Sequence, residues 1–174
     1  VIPSRVKANI QTAIQMIGEV SRLRPHVKTN KSAEASRLML DAGITKFKCA
    51  TIAEAEMLGQ IGGPDVVLAY QPTGPKLRRF VDLVKKFPAT KYGCLIDNLS
   101  VAQEQGSIFS KNQLEVAVYV DLNVGMNRTG ICPEQNAIEV CQYCNRAEGI
   151  KFSGLHAYDG HLRNRDIQIR KKEC

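Results

Sequence analysis

Short apolar runs alternate with helical patterns along most of this chain, and that alternation limits the fold more than any other feature. The runs at 23–29 (LRPHVKT), 46–50 (KFKCA), 65–71 (DVVLAYQ), 91–97 (KYGCLID), 115–123 (EVAVYVDLN) and 150–158 (IKFSGLHAY) read as strands. Between them lie SAEASRLMLDAG, TIAEAEMLGQIGG, GPKLRRFVDLVKKF, LSVAQEQGSIFSKN and CPEQNAIEVCQYCNRAEG, each with helical spacing and several closing on glycine. A helix precedes the series, because Val6, Ile10, Ala13, Ile14, Ile17 and Val20 recur at intervals of three and four. Ser32 and Thr51 stand at N-cap positions, with Glu54 completing a capping box behind Thr51. Strict strand–helix alternation with short connections implies an α/β fold with a parallel sheet of right-handed βαβ units. An open sheet that binds a dinucleotide would carry GxGxxG after its first strand, and nothing of that kind follows Lys28. The expected architecture is therefore a (β/α)8 barrel, partial here, with about six of its eight strands.

A barrel gives polar residues at strand ends a common destination, since its interior is packed and its chemistry sits at the C-terminal mouth. The ends of these strands carry Lys28, Gln71, Asp97, Asp121, Asn123, His156 and Tyr158. For Asp97 a cap on the following helix is the simpler expectation. The stretch RPHVKTNKS places Arg24, His26 and Lys28 at alternate positions, hence on one strand face. A lysine desolvated there beside Arg24 would have a lowered pKa and serve as an amine nucleophile toward a carbonyl, of a substrate or of a cofactor. A structural lysine paired with a carboxylate is the alternative.

The remaining composition excludes more than it assigns. The chain has 174 residues, 44% of them hydrophobic, which is enough for one globular domain. Its net charge of +7 is spread over helical stretches such as KLRRFVDLVKKF, without the basic and aromatic interleaving of a nucleic-acid surface. No apolar run approaches a membrane span and no signal peptide is visible, so a cytoplasmic protein with no nucleic-acid or membrane partner is expected. Of six cysteines, only Cys141 and Cys144 form a CxxC, and no second pair stands at zinc spacing. Buried thiols in a reducing compartment, and no metal ligands in this chain, are the expectation.

RPHVKTNKS, FKCATIAEAEML, DVVLAYQPTGPKLRRF, DLNVGMNRTG and GLHAYDGH, in that order and spacing, resemble the D-threonine aldolase and D-serine dehydratase group of pyridoxal-phosphate enzymes. Those enzymes share the fold type III barrel of alanine racemase, and the resemblance covers nearly the whole chain. It implies that Lys28 holds pyridoxal phosphate as a Schiff base and that Arg128, in GMNR, approaches the cofactor's phenolic oxygen. It further implies that Tyr158 lies against the cofactor ring, that Gln71 belongs to the cofactor pocket, and that His161 is the general base. The reaction implied is retro-aldol cleavage of a D-β-hydroxy amino acid, with D-threonine giving glycine and acetaldehyde. D-serine dehydration, amino-acid racemisation and a non-catalytic pyridoxal-phosphate-binding barrel are the alternatives. For His156 a hydrogen-bonded structural role is as plausible as a functional one, and His26 is open between orienting the pocket and filling the interior.

Departures from the group are visible too. Many of its members read HVKTHK where this chain has Asn30. Residues 1–174 are expected to be an N-terminal barrel fragment, without the last strands and without the β-rich C-terminal domain that supplies a divalent metal's ligands in some members. Expressed alone, such a fragment is expected to self-associate and to bind the cofactor weakly, whereas the full-length protein is expected to be a homodimer.

Overall fold

A computed structural model describes residues 2–174, in which five parallel strands follow one another in sequence order, separated by helices. The chain divides into two compact units, 1–94 and 95–174. The first holds helix α1 (Pro3–Ile17), α2 (Ala33–Asp41), strand β1 (Lys46–Cys49), α3 (Ile52–Gln60), β2 (Asp65–Leu68), α4 (Gly74–Lys86) and most of β3 (Lys91–Ile96). Leu95 and Ile96 open the second, which continues with α5 (Leu99–Lys111), β4 (Val116–Leu122), α6 (Gln135–Cys144), β5 (Ile150–Ala157) and α7 (Ile167–Glu173).

In the first unit β1 pairs with β2 through Phe47 and Val66, and β2 with β3 through Val67 and Gly93, all in parallel. β2 and β3 are buried along almost their whole length and read as short continuous apolar runs, whereas β1 alternates, with Phe47 and Cys49 buried and Lys46 and Lys48 half-buried. Phe47, Val66, Leu77 and Phe80 are fully buried, and Tyr92 sets its ring edge against that of Phe80. Removing each such large side chain from water contributes about 2–3 kcal/mol. Helix α4 shows why the sequence folds this way locally: Leu77, Phe80, Val81 and Leu83 line one face, Pro75 occupies the first turn and Lys85 and Lys86 the last. In the second unit β4 pairs with β5 over its whole length, with an irregularity between Val118 and Tyr119. Phe109, Val116, Val118, Val120, Val140 and Cys144 fill its core.

Five of the six expected strands form, with ends within one residue of the expected bounds except at β2, which stops three residues early. The first does not. Residues 20–22 and 27–29 are 3-10 turns, and the intervening segment touches the sheet at a single parallel bridge, His26 to Lys48. Pro25 is the physical reason: it has no N–H to give to a ladder, and only its carbonyl is used, accepting from Lys48 N at 2.9 Å.

The caps hold with one amendment. Ser32 Oγ accepts from Ala35 N and Thr51 Oγ1 from Glu54 N, both at 3.1 Å. Glu54, however, reaches past the cap residue to accept from Ala50 N at 2.8 Å. Asp97 is not a cap. Asn98 caps α5 by accepting from Val101 N, while Asp97 accepts from Gly130 N at 3.1 Å.

Candidate active site

Lys28 sits in the 3-10 turn Val27–Thr29 between a fully buried Val27 and an exposed Thr29, with its own side chain exposed. This corrects the expectation of a desolvated strand lysine next to a free arginine. Arg24 is committed elsewhere: its guanidinium makes a two-pronged ion pair with Asp65, at 2.6 and 3.0 Å, and also reaches the Phe47 carbonyl. The turn is held instead by its neighbours. His26 Nδ1 accepts from Lys28 N at 3.3 Å, and Asn30 Oδ1 accepts from Ser32 N at 3.1 Å. Burial, then the charges of Lys28 and Lys48, hold the His26 imidazole below its ordinary pKa. Gln71 lies half-buried in the connection between β2 and α4, in the same unit as Lys28.

The second unit carries the other expected residues, and it brings them together. After β4 the chain forms a closed loop. Its base is a bridge between Leu122 and Ile131, with Asn123 N bonded to Ile131 O and Ile131 N to Asp121 O. Asn123 Oδ1 organises the interior by accepting from both Gly125 N and Asn127 N at 3.1 Å. Gly125, Asn127 and Gly130 all have positive φ. At Gly130 the requirement is absolute, because a Cβ would lie 2.6 Å from the Leu122 carbonyl carbon and the Asn123 nitrogen.

This loop presents Arg128, whose Cζ lies 5.3 Å from the centre of the Tyr158 ring. The two line one narrow cleft with Asp121, Asn123, Met126 and Thr129. The Tyr158 hydroxyl is folded over Gly160, where any Cβ would collide with it. His161 packs against Gly125 with its Nε2, and its Nδ1 is buried without a hydrogen-bond partner. His156 is hydrogen-bonded through Nδ1 to the buried carboxylate of Asp121 across the β4–β5 pairing.

Sequence reasoning missed two features. Asn123 was read only as a polar strand end, although Asn followed at two and four residues by Gly and Asn is a signal for a side-chain-organised turn. Glu54 was read only as a cap, yet it is a buried carboxylate, 5% exposed. No periodicity marks that.

Among the described residues no cysteine forms a disulfide. Burial raises the thiol pKa of Cys49 and Cys141 and pushes that of Cys144 up to about 11, which removes them as ready nucleophiles. Among the described residues no cluster of three or more His, Cys, Asp or Glu side chains could hold a metal ion, and no helix is long and apolar enough to cross a membrane.

The chain is 26% identical over 148 residues to a D-threonine aldolase of Arthrobacter sp, covering 83% of this chain and 38% of that protein. It is 26% identical over 147 residues to the 3-hydroxy-D-aspartate aldolase of Paracoccus denitrificans, with the same coverage. It thus spans about two fifths of the length of these relatives. The crystal structure of D-threonine aldolase from Filomicrobium marinum superimposes with a TM-score of 0.88 at 26% identity, over 97% of this chain and 46% of that one. The family model described as alanine racemase, N-terminal domain, matches residues 2–172, and the chain belongs to that family.

Proposed function

We propose that this chain is the barrel portion of a pyridoxal-phosphate-dependent lyase that cleaves D-β-hydroxy amino acids, with D-threonine yielding glycine and acetaldehyde. The family is that of the fold type III pyridoxal-phosphate enzymes. The observation that carries the reading is the meeting of Arg128 and Tyr158, 5.3 Å apart, beside a loop built on Asn123. The residues present fit the cofactor. A guanidinium stays charged at any working pH and suits an anionic ring oxygen, an aromatic face suits a flat heteroaromatic ring, and an exposed lysine amine suits a carbonyl. When bound, the cofactor supplies an electron sink for the bond broken at the substrate's α-carbon.

The chain's own residues do the rest. Lys28 holds the cofactor covalently and Gln71 belongs to its pocket. Arg128 keeps an anionic oxygen in place, and its contact with Tyr158 fixes the guanidinium's orientation. His161 is the base for the proton of a substrate β-hydroxyl, its ring packed against Gly125 of the loop that carries Arg128. The full-length enzyme is taken to continue into a further domain and to act as a homodimer.

The test uses the full-length protein loaded with pyridoxal phosphate. Borohydride reduction followed by peptide mapping should label Lys28, and D-threonine should give equimolar glycine and acetaldehyde, assayed with and without a divalent cation. A label on Lys31 or Lys48 would move the site. Racemisation of alanine, or keto acid and ammonia from a D-hydroxy amino acid without glycine, would overturn the aldolase reading.

A further inference from the structure

We propose that Glu54 is a positioning residue for Lys28, its buried carboxylate gripping the Lys31 ammonium and so holding the turn that carries the lysine; this rests on Lys28 being the cofactor lysine. Glu54 Oε2 accepts from Ala50 N at 2.8 Å, which is a cap-like duty that an uncharged glutamine could perform equally well. The charge has a different use. Oε1 has no aligned hydrogen-bond donor, and its electrostatic partner is Lys31 Nζ at 3.2 Å, from a side chain 64% exposed. A buried carboxylate without such a partner would be strongly disfavoured. Burial here raises the Glu54 pKa, while the Ala50 N–H, the Lys31 ammonium and the His26 ring together outweigh it and leave the group below its ordinary value.

What the ion pair grips is the far end of the Lys28 turn. Lys31 has φ +48°, a left-handed conformation that a residue with a side chain keeps only when its surroundings impose it. Lys31 N and Asn30 N both donate to the Val27 carbonyl, at 2.8 and 3.1 Å. Lys28 is therefore set between a residue with no exposed surface, Val27, and a strained one tied to the interior. Releasing Lys31 removes the far anchor and leaves Lys28 on a hinge at Val27.

Four variants of the full-length protein test this: Glu54→Gln, Lys31→Gly, the double substitution and the conservative Lys31→Arg. Glycine accepts φ +48° without strain, so Lys31→Gly breaks the ion pair without adding backbone strain at that residue. In the apoprotein, hydrogen exchange at the amides of residues 30 and 31 should quicken about tenfold in each of the first two variants and no further in the double. Pyridoxal-phosphate affinity, from absorbance titration, should fall about tenfold in step, corresponding to a 1.4 kcal/mol loss, and Lys31→Arg should restore both. Unchanged exchange and affinity in Lys31→Gly, or strictly additive effects in the double variant, would overturn the clamp. A wild-type protein that takes no pyridoxal phosphate on Lys28 would overturn the functional reading and the purpose given to the clamp, whereas labelled wild type with indifferent variants would overturn the clamp alone.

Discussion

The turn at 26–31 and the loop at 123–130 each carry a residue proposed to hold the cofactor, Lys28 in one and Arg128 in the other, and they are stabilised by opposite means. The first uses charge: a buried carboxylate on α3, an ion pair and an imidazole acceptor impose one backbone shape on residues with ordinary side chains. The second uses backbone freedom: Gly125, Asn127 and Gly130 at positive φ, a bridge closing the base, and one asparagine satisfying two amides. A charge-held segment responds to pH and to substitutions distant in sequence, whereas a glycine-held loop responds to added side chains within itself.

The largest expected effect separates function from this scaffolding. Lys28→Ala in the full-length enzyme should abolish covalent cofactor attachment and lower D-threonine cleavage by at least about a thousandfold. The side chain is exposed, so stability should stay within about 0.5 kcal/mol of wild type. Arg128→Ala should weaken cofactor binding without unfolding the loop, since Asn123 and the glycines shape it. A large loss of stability in either variant, measured by urea denaturation, would mean that these side chains support the fold rather than the site.

Next in size is Gly130→Ala, expected to destabilise by about 2–3 kcal/mol because the new methyl adds strain at φ +95° to a 2.6 Å approach on backbone atoms that cannot move aside. Lys31→Gly lies at the other pole, where the backbone strain at φ +48° is relieved but the ion pair to Glu54 that holds the turn is lost. If Gly130→Ala is neutral in a denaturant midpoint, the loop is not glycine-held and the comparison fails.

These two segments also show how far the sequence can be read. The five strands that form are bounded by turn residues and dense in Val, Ile and aromatic side chains, so burial and propensity agree and their positions follow from pattern. At 23–29 the alternation of Arg24, His26 and Lys28 imitates a strand, and only Pro25, with no N–H for a ladder, warns otherwise. Arg128, Tyr158 and His161 could be named from the motifs that carry them. That Arg128 stands over Tyr158 depends on a closed loop whose shape comes from Asn123 and from contacts between Gly130 and Leu122, which spacing does not express. Glu54 was visible as a cap and invisible as a charge partner of Lys31, because that pairing joins residues more than twenty positions apart.

A smaller effect tests the glycine-held side from within. Asn123→Ala removes the acceptor of both Gly125 N and Asn127 N, and should cost about 1–2 kcal/mol in a partly exposed loop where water replaces some of what is lost. Asn123→Asp keeps the acceptor and should recover most of it. Since Gly125 backs the His161 ring, Asn123→Ala should also lower kcat with little change in KM; equal kcat with a higher KM would place the loop in binding rather than in positioning the base.

The smallest effect expected is a pH dependence confined to the charge-held turn. His26 is neutral in the fold, with Nδ1 accepting from Lys28 N, and burial together with Lys28 and Lys48 holds its pKa below the ordinary 6.5. The unfolded chain therefore binds more protons than the native one at pH values between the lowered native pKa and 6.5, and stability must rise with pH across that window. His26 thus contributes fully above pH 6.5 and loses its contribution as the pH falls toward the native value. Below that value the group adds nothing further. Protonation also turns Nδ1 into a donor and ends the bond from Lys28 N, so acid should loosen the same turn that it destabilises. Thermal unfolding of the full-length apoprotein from pH 8 to pH 5.5 should show a shallow fall beginning near pH 6.5. His26→Asn keeps an acceptor two residues before Lys28 without a titrating ring, and should remove that component of the fall. A slope that survives the substitution would assign the pH dependence to another group and leave the turn held by Glu54 and Lys31 without help from the imidazole.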